Sequence, residues 1–200
     1  MVEVYVNEST LALRRLATKS PQTKVAEPTP QLNLGSRDRL AELYAQYARF
    51  VAWFASRLLT RQDEIEDVVQ EVFVIAAKRL DDLKEPPKVR GWLKVVTLRR
   101  AGRLLRWKRV RARFGMEAVT SHAEEWIASP GASPEDRAAL RELLVVLEKM
   151  PTDLRIAWSL RYMHEETVDS VAELIGCSLA TAKRRIAAAQ RLIDQGLSDG

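Results

Sequence analysis

From Arg37 onward, apolar residues recur every three or four positions, and outside the first six residues no stretch alternates as a half-buried strand does. Leu40, Leu43, Tyr44, Tyr47 and Val51 begin the pattern, and Phe54, Ala55 and Leu58 continue it. Such a period predicts an all-α chain. Breakers then cut it into pieces. Pro86-Pro87 closes a second helix expected over Asp63–Leu80, and a third runs from about Val89 to Arg113. Ser129-Pro130-Gly131-Ala132-Ser133-Pro134 separates that block from a second helical block. Ser133 fits an N-cap and Pro134 the first helical position of a further helix, and Met150-Pro151-Thr152-Asp153 reads as another helix start. The expected architecture is two small helical domains, 37–113 and 135–200, joined by a flexible linker over 114–134. Residues 1–36, with Pro21, Pro28 and Pro30 among polar residues, read as a flexible tail.

Composition narrows the function classes. The single cysteine, Cys177, cannot form an internal bridge, and with His122 and His164 as the only histidines a structural zinc site lacks ligands. The longest apolar run, Val72 to Ala77, is far short of the ~20 residues of a membrane span. Glu3 and Glu8 stand where a signal peptide carries positive charge and an apolar core. The expectation is a reduced, cytoplasmic protein. The sequence holds no glycine-rich phosphate loop, no H-E-x-x-H and no histidine beside a plausible nucleophile. Neither an enzyme nor a bound cofactor or metal is expected.

Charge is segregated. Arg99 to Arg113 holds eight Lys or Arg and no acid, whereas Asp63 to Glu71 holds five acids and no base. Two opposite patches on one chain point to two different partners. On the second helix, Ile65, Val68, Val69, Val72, Ile75 and Ala76 form an inner face, and Asp63, Asp67, Gln70, Glu71 and Val74 lie opposite. That acidic face reads either as solvated surface or, because Val74 is apolar and outward, as a docking face. On the third helix Leu98, Ala101, Leu105 and Ala112 share one side, and Arg99, Arg103, Arg106 and Arg113 the other; Arg100, Lys108 and Arg109 complete the run. Unrelieved cation on a helix face repels itself and calls for an anion such as phosphate. Trp107 beside these arginines offers a surface for an unstacked base, or else packs into its own core. Trp92, beside Val95 and Val96, reads as core.

The third surface is a helix-turn-helix. Val171, Ala172 and Ile175 give the first helix its inner face, Gly176-Cys177-Ser178 the turn, and Ser178 an N-cap. Leu179, Ala182, Ile186, Ala189 and Ile193 form the inner face of the second helix. Its outer face carries Ala180, Thr181, Arg184, Ala187 and Ala188, flanked by Lys183, Arg185 and Arg191. Small residues around a few long cations let a helix enter the major groove, with Arg184 reaching a base edge. Cys177 reads as a small turn residue, and His164 as a solvent-exposed loop residue.

On these strings the sequence resembles the extracytoplasmic-function sigma factors of bacterial RNA polymerase. EIEDVVQEVFVIAAKRL resembles their region 2.2, VRGWLKVVTLRRAGRLLRWKR regions 2.3 and 2.4, and MPTDLRIAWSLRYMHEETVDSVAELIGCSLATAKRRIAAAQRLI region 4. The resemblance implies polymerase docking by Asp67, Gln70 and Glu71, with Val74 on the same face. It implies binding and opening of the −10 promoter element by Arg99, Arg100, Arg103, Arg106, Trp107, Lys108 and Arg109, and reading of the −35 element by Thr181, Lys183, Arg184 and Arg185. The implied partners are core RNA polymerase, promoter DNA and an anti-sigma factor. Arg99, Arg103, Ala188 and Val89 stand where the family often has Asn, Asp, Arg and Phe, so its promoter sequence does not carry over. The alternative is a helix-turn-helix transcriptional regulator whose first half is an interaction domain.

Overall fold

The structure, a computed structural model, describes residues 36–80, 86–114 and 134–198. Among these residues every regular element is helical: α1 (Ser36–Ser56), α2 (Gln62–Ala77), α3 (Pro86–Arg113), α4 (Pro134–Lys149), α5 (Thr152–Trp158), a π-helical turn (Ser159–Met163), α6 (Val168–Ile175) and α7 (Leu179–Ser198). The expected tail, apart from Ser36 which opens α1, and most of the expected linker lie outside the described residues, as does Ser133. The chain forms two compact units that part between Leu104 and Leu105, inside α3.

In the first unit α1 packs on α2. Val51, Phe54, Ala55, Leu58, Val72 and Ala76 are fully enclosed, together with Leu93 and Ala101 of α3. Thr97, also enclosed, satisfies its hydroxyl by donating to the Leu93 carbonyl at 2.7 Å, one turn back. Several expectations need correction. Pro86 and Pro87 open α3 rather than closing the preceding unit, since the first turn of a helix needs no N–H donors. α2 ends at Ala77 rather than Leu80, because Lys78 and Arg79 donate to carbonyls three residues back and tighten the chain into a turn. The α2 core uses Phe73, and Ile75 is only half-buried. Tyr44, read as core, is half exposed and lies against the Phe73 ring at 4.8 Å. Trp92 is half-buried and Ala112 exposed.

The second unit is built on α7, which packs against α4, α5 and α6. Leu140, Leu143, Leu144, Leu147, Met150, Trp158, Met163, Ala189 and Ile193 form its core. Trp158 is completely enclosed, and its indole N–H donates to Gln190 Oε1 at 2.8 Å; Gln190 in turn donates to Asp194 at 2.9 Å. His164, expected in solvent, is half-buried. Its two ring nitrogens are shielded because the chain folds back there, Glu166 donating to the Leu160 carbonyl and Glu165 taking a φ of 56°.

Candidate functional site

The turn between α6 and α7 follows from local chemistry. Thr167 caps α6, its hydroxyl oxygen accepting from the Ser170 N–H at 3.1 Å. Gly176 ends α6 in the left-handed region, φ 66° and ψ 47°, where a side chain is strained. Cys177 N–H reaches back to the Ala172 carbonyl. Ser178 then caps α7: its Oγ accepts from the Thr181 N–H at 3.2 Å and its hydroxyl donates to Thr181 Oγ1 at 3.0 Å. α7 is thereby aimed with Ala182, Ile186, Ala189 and Ile193 inward. Leu179, expected on that inner face, is exposed instead, since it opens the helix ahead of the packed turns.

Of the residues expected to read DNA from α7, Lys183 and Arg184 are exposed, and neither has an ion-pair partner among the described residues. Thr181 is half-buried, its hydroxyl occupied in the cap. Arg185 is also half-buried and pairs with Asp153 of α5 at 3.1 Å. Arg191, the further flanking cation, is exposed and without an ion-pair partner among the described residues as well, so the free charge on this face is carried by Lys183, Arg184 and Arg191.

α3 presents Arg99, Arg103, Arg106 and Arg113 on one side, all exposed and all without an acidic partner among the described residues. Arg100 differs, since its guanidinium lies 3.2 Å from the Glu71 carboxylate of α2. Arg109 also differs, donating to the Met150 carbonyl at 2.5 Å within the second unit. Lys108 is half-buried. Trp107 is 52 % exposed, so it is not a core residue. The Arg111 guanidinium sits over its ring at 4.5 Å, and Val110 and Phe114 continue an exposed apolar stripe at helical spacing.

On α2, Asp67, Gln70, Glu71 and Val74 fall at helical spacing on one face, and all four are exposed, Val74 by 58 %. The acids nearer the helix start are internally engaged. Arg61 clasps Asp63, and that hydrogen bond holds the Asp63 carboxyl below its ordinary range. Gln62 donates to Glu66 at 2.8 Å. The outward face over Asp67–Val74 remains solvent-exposed, with acid, amide and one apolar side chain, although Glu71 is engaged by Arg100. Tyr44, exposed beside Phe73, reads as core by periodicity because its spacing from Tyr47 matches the core stripe. Among the described residues no cluster suits a metal ion, and no helix is long and apolar enough to cross a membrane.

Two family models match the chain: Sigma-70 region 2 over residues 43–111 and Sigma-70, region 4 over residues 140–192, together more than half of its length. Among curated relatives, the ECF RNA polymerase sigma factor SigW of Bacillus subtilis is 24 % identical over 84 % of this chain and 94 % of its own. The ECF RNA polymerase sigma-E factor of Escherichia coli is 28 % identical over 76 % of this chain and 83 % of its own. The protein named Probable RNA polymerase sigma factor RfaY, of Xanthomonas campestris, is 31 % identical, over 64 % of this chain but only 32 % of its own length. Among solved structures, the sigma factor RpoE in complex with the anti-sigma factor NepR, from Bartonella quintana, matches in fold with a TM-score of 0.58 and 21 % identity, covering 79 % of this chain and 96 % of that one.

Proposed function

With the chain belonging to the sigma-70 family, as an extracytoplasmic-function sigma factor directing transcription initiation, we propose that its exposed charged faces divide that work. Asp67, Gln70, Glu71 and Val74 dock on core RNA polymerase. Arg99, Arg103 and Arg106, with Trp107, engage the −10 element, the arginines on phosphates and the indole on a base extruded during melting. Arg100, Lys108 and Arg109 border that surface. Arg184 reads a base edge of the −35 element in the major groove, while Lys183 and the outer edge of Arg185 hold phosphates, and Thr181 sets the start of the helix. Residues 37–113 and 135–200 act as the two DNA-contacting domains, and 114–134 as the tether. The chain acts by binding, in the cytoplasm, with no cofactor and no reaction of its own. An anti-sigma factor is its expected inhibitor, a reading supported by the solved complex of a protein of similar fold.

The observation that carries this reading is the exposed charge without an acidic partner among the described residues: four arginines along one side of α3 and three cations on α7, against an acidic face on α2. Hydroxyl-radical footprinting of a promoter bound by core polymerase plus the chain tests it. Two protected blocks are expected, the upstream one weakened by Arg184→Ala and the downstream one by Arg103→Ala with Arg106→Ala. A single block, unchanged by the α3 substitutions, favours instead a helix-turn-helix regulator.

A further inference from the structure

One ion pair joins the two patches that the proposed function assigns to different macromolecules. Glu71 Oε2 on the acidic face of α2 lies 3.2 Å from Arg100 Nη1 on the basic helix α3, both within the first unit. Both side chains reach solvent, Glu71 at 57 % and Arg100 at 28 %. A guanidinium matches a phosphate as well as it matches a carboxylate, so Arg100 has a second chemically equivalent partner on DNA. Glu71 likewise has a second partner in any cation that the polymerase presents to the acidic face. Neither group can hold both partners fully at once.

We propose that the Glu71–Arg100 pair is an exchangeable latch: polymerase docking on Glu71 releases Arg100 to a DNA phosphate, which makes Arg100 a positioning residue in the free chain and a DNA contact in the complex. This rests on the docking and DNA roles proposed above. A partly exposed pair is weak, so the exchange is reversible and its coupling amounts to a few-fold change in affinity. Linkage is reciprocal, so DNA engaged by Arg100 strengthens polymerase docking by the same factor. The exposed arginines along the other side of α3 (Arg99, Arg103, Arg106 and Arg113) have no acidic partner among the described residues and carry no such coupling.

The test uses the full chain and a fluorescein-labelled mixed-sequence DNA duplex, since a phosphate contact is independent of sequence. Glu71→Gln should tighten DNA binding by the polymerase-free chain about two- to fivefold. The slope of log affinity against log salt should steepen by about one phosphate contact. Adding Arg100→Gln to that variant should remove the gain, so that losing Arg100 costs more in the Glu71→Gln background than in the parent. A gain that survives in the double variant would mean that Glu71 acts only as a nearby negative charge, and no gain at all would mean that Arg100 is not restrained; either result overturns the latch. Core polymerase affinity of Glu71→Gln is measured alongside. If that affinity equals the parent's while the DNA coupling is present, the docking role fails and the intramolecular restraint stands.

Discussion

Replacing Trp107 with alanine separates stacking on DNA from packing in the fold. Trp107 is 52 % exposed, so about half of its surface is covered, and the Arg111 guanidinium lies over its ring at 4.5 Å. A fully buried Trp→Ala change costs about 3–5 kcal/mol, so half-burial scales to about 2 kcal/mol. The lost cation–π contact adds about 0.5–1 kcal/mol. For a chain of this size each kcal/mol lowers the thermal midpoint by about 2–4 °C, which leaves the variant folded at assay temperature. Base stacking, by contrast, contributes about 1–3 kcal/mol on single-stranded DNA, or roughly five- to 150-fold in affinity. The assay is fluorescence anisotropy on a pre-melted bubble template and on the fully paired duplex, with thermal unfolding followed in parallel. Trp107→Ala should weaken bubble binding within that range and leave the duplex salt slope unchanged, while Trp107→Phe should retain most of the affinity. A folded Trp107→Ala that binds the bubble as well as the parent refutes the stacking role.

Three further outcomes are expected. Asp67→Lys with Glu71→Lys should lower affinity for core polymerase while changing folding stability by about 0.5 kcal/mol beyond the loss of the Arg100 pair, as read by polymerase pull-down and calorimetry. Arg184→Ala should relax preference at one −35 base pair by about 1–3 kcal/mol, whereas Lys183→Ala should weaken all promoter variants about equally; competition binding against a panel of single-base variants distinguishes them. Gln190→Leu leaves the buried Trp158 N–H without its acceptor and should cost about 1–3 kcal/mol of stability, seen as a lowered thermal midpoint by calorimetry.

The helix-turn-helix was legible in the sequence because its determinants are local. Gly176 at the left-handed turn and Ser178 at the cap act within three residues of themselves, and the structure has both. The inner faces of α2 and α7 were legible wherever the period alone decides, as at Val68, Val72, Ala182 and Ile186. Where two local rules compete, the reading failed: a proline pair both stops one helix and starts the next, and at Pro86 the second role won. Leu179 failed for another reason, since it is the first residue of α7 and is left 39 % exposed while Ala182, three residues on, is fully buried. The candidate site was legible in its residue types and hidden in its pairings. A helical wheel cannot show that Arg100 meets Glu71, that Arg185 meets Asp153, or that Arg109 meets the Met150 carbonyl, because each partner lies on another element.

Reconstituted transcription from fully duplex DNA, with start sites mapped, tests the central claim most directly. Core RNA polymerase supplemented with the chain is expected to start transcripts at discrete sites that core polymerase alone does not use, and the Asp67→Lys, Glu71→Lys variant is expected to lose them. The claim is contradicted if core polymerase with the parent chain starts at no defined site, while the chain alters only the level of transcripts begun by another sigma factor.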